Sequence, residues 1–309
     1  MNITFCCTNT KPEPWLDGFR AALPGSTVDV WSAGAAPADY AVVWAPPQQF
    51  FDEQPALKGV FNIGAGVDAL MKLRIPPSVP VVRLDDAGMS VQMAEYVCHV
   101  VIRHFREFDA YESEVVAGKW SFRKPRNRAE FPVGVMGLGV LGQRVAAALG
   151  QFDFPVLGWS RSPKTVAGVQ CFSGEAGFRD FLAATRILVC LVPLTDETEG
   201  ILNSETLALL LPGAYLINVA RGGHLVDHDL IALLDSGHLS GATLDVFRVE
   251  PLPAAHSFWT HPKITVTPHT SARTQREESI TQIAAKILAL QQGAPIASLA
   301  GVVDPKKGY

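Results

Sequence analysis

A glycine-rich turn between an apolar strand and a helix restricts the fold of this chain more than any other feature. The segment reads Phe131-Pro132-Val133-Gly134-Val135-Met136-Gly137-Leu138-Gly139-Val140-Leu141-Gly142. The apolar residues before the Gly-x-Gly-x-x-Gly pattern predict a strand, and residues 143–149 continue as a helical run. A strand, a tight turn and a helix in this order predict one βα unit of a parallel α/β sheet.

Each glycine of the pattern has its own predicted role. Gly137 makes the tight turn, Gly139 lets the backbone approach a pyrophosphate, and Gly142 allows the helix to pack closely on the strand. The phosphates are expected at the helix N-terminus, beside Val140 and Leu141, where free N–H groups favour anions. The alternative is a glycine-rich turn that binds no ligand.

The end of the next strand predicts which nicotinamide cofactor is used. In chains that bind NAD, an Asp or Glu about 20 residues after the glycines hydrogen-bonds the ribose 2′-hydroxyl. This chain has Ser160, Arg161 and Ser162 there, followed by Lys164, and no carboxylate. Because Arg161 is suited to pair with a 2′-phosphate, helped by the hydroxyls and Lys164, we predict NADP in preference to NAD. The alternative is that Arg161 is an ordinary solvated loop arginine.

Short apolar runs alternate with helical patterns along the chain, which is typical of parallel α/β domains. With 309 residues, 48% of them apolar, the chain is long enough for two domains. We predict an α/β fold with two Rossmann-like domains, one flavodoxin-like and one a doubly wound NAD(P)-binding sheet. The predicted strands span residues 3–7, 28–31, 40–44, 60–63 and 81–84, then 133–136, 155–159, 187–192, 214–218, 241–245 and 264–267.

Two helical patterns set the predicted domain boundaries. The first joins the two sets of strands, and the last is expected to cross back onto the first domain, which makes that domain discontinuous. We place a substrate domain at residues 1–97 and 281–309, and a dinucleotide-binding domain at residues 98–280. The two patterns consist of Met93, Val97, Val100, Val101, Phe105 and Phe108, and of Ile280, Ile283, Ile287 and Leu288.

Composition argues against several classes of protein. The formal net charge is −4, so no nucleic-acid partner is expected. The five cysteines are scattered and form no Cys-x-x-Cys pair, which indicates reduced thiols and no metal site. No apolar run approaches the roughly 20 residues needed to cross a bilayer, so no membrane partner is expected and a cytoplasmic location is predicted.

Three segments at the predicted carboxyl ends of strands carry side chains suited to reducing a 2-oxo acid. That reaction needs a cation for the carboxylate and carbonyl, and an acid that delivers a proton. Open α/β sheets place their ligands at these strand ends. Spacing alone does not select one histidine from the eight in the chain. The segments are Asn218-Val219-Ala220-Arg221-Gly222-Gly223, Asp245-Val246-Phe247 with Glu250-Pro251-Leu252, and Thr267-Pro268-His269.

Taken together and in this order, the glycine turn and the three segments resemble the D-isomer-specific 2-hydroxyacid dehydrogenase family over nearly the whole chain. The resemblance implies an NAD(P)-dependent enzyme that reduces a 2-oxo acid to the 2-hydroxy acid. Further segments resemble the branch of this family that reduces glyoxylate and hydroxypyruvate. They are Val43-Trp44-Ala45-Pro46-Pro47, Ile63-Gly64-Ala65-Gly66-Val67-Asp68, Trp159-Ser160-Arg161 and Lys307-Gly308-Tyr309.

The resemblance also implies roles for matching positions. Arg221 binds the substrate carboxylate and polarises the carbonyl, and His269 is the proton donor. Glu250 hydrogen-bonds His269, and a neighbouring carboxylate favours a protonated imidazole. Asp245 supports the cofactor side of the site.

The remaining implied contacts concern substrate, cofactor and subunits. Backbone N–H groups around Ala65 and Gly66 cradle the carboxylate, while Trp44 and Met89 either shape the substrate pocket or serve as packing. The family forms homodimers through the cofactor domain, and the basic stretch 119–128 is expected to be an arm toward the second subunit or a hinge. The implied cofactor contacts are Gly137, Gly139, Val140, Leu141, Gly142, Ser160, Arg161, Ser162, Lys164, Val192, Pro193, Val219, Ala220, Arg221, Asp245 and His269.

Other functions remain open at this point. A related enzyme could reduce phenylpyruvate or a branched-chain oxo acid, because one methylene changes binding by only about 1–3 kcal/mol. A protein that senses NAD(P) without catalysis could use the same fold. A Rossmann methyltransferase would account for the glycines but not for the order of Arg221, Glu250 and His269.

Overall fold

Two units make up the chain in a computed structural model that describes residues 1–64 and 66–304. One unit runs from Met1 to Met89 and resumes at Arg273, and the other is Ser90–Ala272. The boundaries predicted at 97/98 and 280/281 lie further along the chain, inside two helices that the structure keeps whole. The division therefore falls near the start of each helix, because a helix packs as one element.

A five-stranded parallel sheet forms the centre of the first unit. Its strands are β1 (Asn2–Cys7), β2 (Thr27–Val30), β3 (Tyr40–Trp44), β4 (Gly59–Asn62) and β5 (Val81–Arg83). They lie in the order β2-β1-β3-β4-β5, which is the flavodoxin-like order predicted from the sequence.

A seven-stranded parallel sheet forms the second unit. Its strands are β6 (Val133–Met136), β7 (Val156–Ser160), β8 (Val169–Ser173), β9 (Ile187–Cys190), β10 (Ala214–Asn218), β11 (Leu239–Leu244) and β12 (Ile264–Val266). They lie in the order β12-β11-β10-β9-β6-β7-β8, so the strand order reverses between β6 and β9. Doubly wound sheets bind their ligands outside the carboxyl ends of the strands at such a reversal. The predicted fold class is confirmed.

Helices connect several of the consecutive parallel strands, because a parallel pair needs a long crossover. The helices of the described residues are α1 (Glu13–Ala22), α2 (Gln48–Glu53), α3 (Met89–Phe105), α4 (Phe108–Val116), α5 (Val140–Gly150), α6 (Gly174–Ala183), α7 (Ser204–Leu207), α8 (Asp227–Asp235) and α9 (Arg276–Gln291). In the described part of the chain, no helix combines the length and apolarity that crossing a membrane requires.

The last helix completes the core of the first unit, as the sequence predicted. Helices α1 and α9 cross at Gly18, where an added Cβ would lie 2.5 Å from the Cδ1 atom of Ile280. Ile283 and Ile287 of α9 are buried in the same cluster as Phe19 of α1. A side chain larger than glycine at position 18 would push the two helices apart.

Three details of the predicted elements were wrong. The edge strand β8 was not predicted, because its residues are only partly buried and form no continuous apolar run. Phe108 does not continue α3: Glu107 has a φ of 56°, which ends one helix and starts another. Leu288 is 38% exposed and lies outside the buried face of α9.

Candidate active site

The glycine turn follows β6 and opens α5, as predicted. Two of its glycines are required by packing within the chain. Gly137 has a φ of 112°, and a Cβ there would lie 2.7 Å from the backbone carbon and oxygen of Leu191. A Cβ on Gly142 would lie 1.8 Å from the carbonyl oxygen of Gly137. The helix can therefore begin this close to the turn only with glycine at both positions.

Gly139 is different, because no contact among the described residues requires it to be glycine. Its φ of −75° and ψ of −166° are extended values open to any residue. A Cβ built on it would have no atom of residues 1–64 or 66–304 within 4 Å, its chain neighbours aside. Gly139 is also the N-cap of α5 and has no side chain to bond the first N–H groups. The turn thus leaves open space in front of a helix N-terminus, beside the exposed Val140, where the phosphates of a dinucleotide fit.

Two cationic side chains follow β7 near this turn. Lys164 donates from Nζ to the carbonyl oxygen of Leu138, over 2.6 Å, which places its ammonium group on the glycine turn itself. Arg161 is half exposed, with Nη1 3.4 Å from Oε2 of Glu197. Ser160 is buried and donates from Oγ to the carbonyl of Ser162, over 2.8 Å. Residues 160–164 contain no carboxylate, so this strand end favours an anionic group such as a 2′-phosphate.

The loop after β9 lies directly across from the turn. Leu191 donates its backbone N–H to the carbonyl of Met136, and Val192 is buried beside Gly137. The carbonyl of Pro193 accepts a hydrogen bond from Oγ1 of Thr198 over 2.7 Å. Val192, predicted with Pro193 to line the cofactor, therefore lies next to Gly137, and Pro193 follows it in the chain.

Arg221 follows β10 and the buried pair Val219 and Ala220, in a backbone held by side chains. Asn218 donates from Nδ2 to the carbonyl of Arg221 over 3.0 Å. The Oδ1 atom of the same Asn218 accepts the backbone N–H of Ala220 over 3.2 Å. The guanidinium of Arg221 donates from Nη1 to the carbonyl of Ala220 over 2.6 Å. The arginine thus extends from a fixed strand end.

His269 and Glu250, for which the resemblance implies roles as the proton donor and its partner, lie within hydrogen-bond distance of each other. The Nδ1 atom of His269 lies 2.8 Å from Oε2 of Glu250. The other carboxylate oxygen of Glu250 accepts the backbone N–H of Phe247 over 2.9 Å, which fixes the carboxylate. The backbone of His269 has a φ of 52°, and its backbone N–H donates to the carbonyl of Asp245. Because Nδ1 donates to the carboxylate, Nε2 is the nitrogen left to exchange a proton with a ligand.

Asp245 is fully buried, and its carboxylate holds the loop that carries His269. It accepts hydrogen bonds from Oγ1 of Thr267 over 2.5 Å and from the backbone N–H groups of Thr270 and Ser271 over 2.8 Å. The hydroxyl of Tyr96 lies 2.5 Å from Oγ1 of Thr267 and extends this network to α3. Asp245 therefore shapes the His269 loop, and a contact of Asp245 with the cofactor stays a prediction.

The predicted substrate residues of the other unit lie at the carboxyl ends of β3 and β4. Trp44 is 39% exposed, and a Cβ added to Gly64 would lie 2.2 Å from its ring. Buried Asn62 donates from Nδ2 to the carbonyls of Gly64 and Gly66, over 2.9 Å each. Since a trans peptide points its N–H opposite to its C=O, the amide after Gly66 faces away from Asn62.

Not every predicted substrate residue is placed equally clearly. Met89 is buried at the start of α3, with 6% of its surface exposed, which is consistent with packing. Ala65 lies outside the described residues.

Asn62 and the fully buried His224, which contacts Arg221, were not predicted, because a single Asn or His within an ordinary segment carries no motif signal.

Comparison with known proteins decides the family. A family model described as D-isomer specific 2-hydroxyacid dehydrogenase, NAD binding domain, matches residues 98–271. A glyoxylate/hydroxypyruvate reductase A of Serratia proteamaculans (strain 568) is 47% identical over 316 residues, covering 100% of both chains. The chain belongs to the D-isomer-specific 2-hydroxyacid dehydrogenase family. The resemblance stated from the sequence is confirmed.

Two solved structures of this family match the chain over its length. One is a D-isomer specific 2-hydroxyacid dehydrogenase of Xanthobacter autotrophicus Py2 in complex with NADPH and MES. It is 42% identical with a TM-score of 0.94, covering 100% of this chain and 99% of that one. The other is an NADPH-dependent glyoxylate/hydroxypyruvate reductase of Sinorhizobium meliloti in complex with NADP and sulfate. It is 36% identical with a TM-score of 0.92 and the same coverage.

Proposed function

We propose that this dehydrogenase is an NADPH-dependent reductase that converts a small 2-oxo acid, glyoxylate or hydroxypyruvate, to the 2-hydroxy acid. The observation that carries the proposal is the 2.8 Å pair of His269 and Glu250 in the same unit as the glycine turn. Relatives named glyoxylate/hydroxypyruvate reductase A align over the full chain and support this substrate class.

The cofactor preference rests on residues of this chain and on its relatives. Open space at Gly139 suits the pyrophosphate, and Arg161 and Lys164 suit a 2′-phosphate. Solved relatives are described in complex with NADPH or NADP. When bound, NADPH supplies the hydride for the carbonyl carbon. Val192, Pro193, Val219 and Ala220 would enclose the nicotinamide end.

The acid–base step belongs to His269. Glu250, held by the N–H of Phe247, accepts a hydrogen bond from Nδ1–H and orients the protonated imidazole, which also carries a proton on Nε2. The Nε2 proton is then available to the carbonyl oxygen of the substrate as negative charge develops there. In the reverse direction, the same nitrogen takes the proton from the hydroxyl group.

Substrate binding needs a cation and backbone donors. Arg221 would pair with the carboxylate through its planar fork of N–H groups and polarise the adjacent carbonyl. The backbone around Ala65 and Gly66 would supply further N–H donors, and Asn62 holds the Gly66 carbonyl away from them. Trp44 would limit the size of the substrate side chain.

The test is oxidation of NADPH and NADH by the purified chain with glyoxylate, hydroxypyruvate, pyruvate and phenylpyruvate. We expect the highest kcat/KM with glyoxylate or hydroxypyruvate and NADPH.

Arg161→Ala should raise the KM for NADPH much more than that for NADH, and His269→Gln should lower kcat by about 10²–10⁴-fold. A preference for phenylpyruvate would show that the enzyme reduces 2-oxo acids with larger side chains. NADPH binding without turnover would favour a protein that senses the cofactor.

We also propose that the chain forms a homodimer through its cofactor unit. The segment after α4 carries Trp120 and Phe122, which are 103% and 82% exposed. Arg123 nevertheless holds this segment in place by ion pairs with Glu107 and Glu114, over 3.2 and 2.9 Å. An ordered segment that presents large apolar side chains to solvent is typical of an interaction surface.

A further inference from the structure

His224 is a fully buried histidine that contacts the backbone of Arg221. It ends the short 3₁₀ turn Gly222–His224 that follows Arg221. Its Nδ1 atom lies 3.3 Å from the backbone nitrogen of Arg221 and 3.0 Å from the carbonyl oxygen of that residue. Its Nε2 atom lies 3.3 Å from the carbonyl oxygen of Pro193. One imidazole therefore links the arginine loop to the loop across from the glycine turn.

The ring contacts a backbone polar group of Arg221 in either neutral tautomer. With the proton on Nε2, that nitrogen donates to the carbonyl of Pro193, and Nδ1 accepts the backbone N–H of Arg221 over 3.3 Å. With the proton on Nδ1, that nitrogen donates to the carbonyl of Arg221 over 3.0 Å, and the same carbonyl also accepts from Nδ2 of Asn218. The imidazole is therefore bonded to the Arg221 backbone whichever nitrogen carries the proton.

The turn around His224 is fixed by neighbouring contacts as well. A Cβ on Gly222 would lie 1.8 Å from the carbonyl carbon of Phe247, so the turn presses directly on the backbone after β11. Leu202 donates its N–H to the carbonyl of His224. Arg248 donates from Nη2 to the carbonyls of Gly223 and Leu225, over 3.3 Å each. Because the turn cannot shift easily, loss of the imidazole would remove its hydrogen bond to the Arg221 backbone without moving the turn.

We propose that His224 is a positioning residue that holds Arg221 in the orientation needed to bind the substrate carboxylate. It is not a catalytic residue, because its buried ring contacts backbone groups of the chain and lies away from solvent. A fork of N–H groups binds a carboxylate well only at a defined angle and distance, so a tilt at the Arg221 backbone weakens both bonds together. The inference rests on the proposed role of Arg221.

The test is a double-mutant cycle in the full-length chain, with His224→Ala, Arg221→Lys and both together. His224→Ala should lower kcat/KM for the preferred 2-oxo acid by about tenfold to a hundredfold, mainly through KM. In the Arg221→Lys background, His224→Ala should lower kcat/KM by less than about threefold, because the guanidinium that His224 positions is already absent. Equal losses in both backgrounds would overturn the proposal and leave His224 a purely structural residue.

Two further variants keep the test decisive if His224→Ala folds poorly. Asn at position 224 places its side-chain amide where Nδ1 lies, and an amide can accept the Arg221 N–H or donate to the Arg221 carbonyl. His224→Asn should therefore keep KM within about threefold of the original value. His224→Gln reaches toward Pro193 instead and should resemble Ala in KM. If Asn is no better than Gln, the contact with Arg221 is not what matters and the proposal fails.

A matched control is available in the same unit. His238 also contacts one backbone carbonyl, with Nε2 3.2 Å from the oxygen of Leu207, but precedes β11 at the opposite end of the sheet. His238→Ala should leave KM unchanged. An unsubstituted chain that reduces no 2-oxo acid would overturn the proposed function and this inference together. An active chain with additive losses would overturn this inference alone.

Discussion

At the scale of single residues, two glycines three positions apart give opposite predictions. Gly139→Ala should leave the fold intact and change the free energy of unfolding by less than about 1 kcal/mol, because the smaller entropy of the unfolded chain offsets the poorer N-cap. It should weaken NADPH binding about tenfold, equivalent to roughly 1.4 kcal/mol, since the new methyl group takes space meant for the phosphates. Fluorescence titration with NADPH and thermal unfolding measure the two effects.

Gly142→Ala is the matched control for that change. Its Cβ would lie 1.8 Å from the Gly137 carbonyl oxygen, so it should lower the free energy of unfolding by about 1–3 kcal/mol. If Gly139→Ala also destabilised the chain and left NADPH affinity unchanged, the open space at Gly139 would not be a phosphate site.

The same scale shows how far the sequence could predict the site. Arg221, Glu250 and His269 could be proposed from the sequence because each lies after a strand in a recognisable short motif. His224 and Asn62 could not, because the contacts on which their proposed roles rest are created by folding. His224 contacts Pro193, which lies 31 residues earlier, and no motif in either segment predicts that contact.

At the scale of elements, the strands were predictable because a buried parallel strand is a continuous apolar run. β6 and β10 are fully buried and have the predicted bounds. β8 lacks that signal, since it pairs with β7 on one side only and is partly exposed. The break between α3 and α4 was missed for another reason: one residue, Glu107, adopts a left-handed backbone without a Gly or Pro to indicate it.

The contact of α3 with β10 predicts how stability changes with pH. His104 of α3 lies against the ring of Tyr215, with centroids 4.2 Å apart. Burial, helped by the nearby guanidinium groups of Arg126 and Arg186, lowers the pKa of His104 from 6.5 to about 4. Between these values the unfolded chain binds a proton that the folded chain does not. The contribution of His104 to the free energy of unfolding is therefore fully present above pH 6.5 and is lost as the pH falls toward 4.

The expected size of this loss is about 2 kcal/mol between about pH 7 and about pH 5. Urea unfolding of the original chain and of His104→Phe at both values measures it. His104→Phe should lose less stability on acidification, because phenylalanine has no proton to gain and still packs on Tyr215. The exposed His228 provides the control: His228→Phe should keep the full pH dependence. Identical slopes for the original chain and His104→Phe would mean that this contact does not set acid stability.

At the scale of the whole molecule, the two units carry different parts of the proposed chemistry. The glycine turn, Arg221, Glu250 and His269 belong to Ser90–Ala272, whereas Trp44 and Gly66 belong to the other unit. The sequence predicted two α/β units because each repeats the alternation of strand and helix. It placed the boundaries at 97/98 and 280/281, inside α3 and α9, because apolar periodicity continues through both helices.

The proposed homodimer gives the prediction at this largest scale. Trp120 and Phe122 are held in an ordered segment by the ion pairs of Arg123, so exposing them to water has an unfavourable free energy that a second copy of the chain can remove. Light scattering after size exclusion should give a dimer for the original chain. Substitution of both residues by serine should give a monomer with an unchanged circular dichroism spectrum, because neither side chain supports the core. Phe152→Ser, which removes a 42% exposed aromatic ring elsewhere in the same unit, should remain a dimer. A serine variant that stayed dimeric would show that the dimer contact lies on another face of the cofactor unit. An original chain that was monomeric would overturn the proposed homodimer.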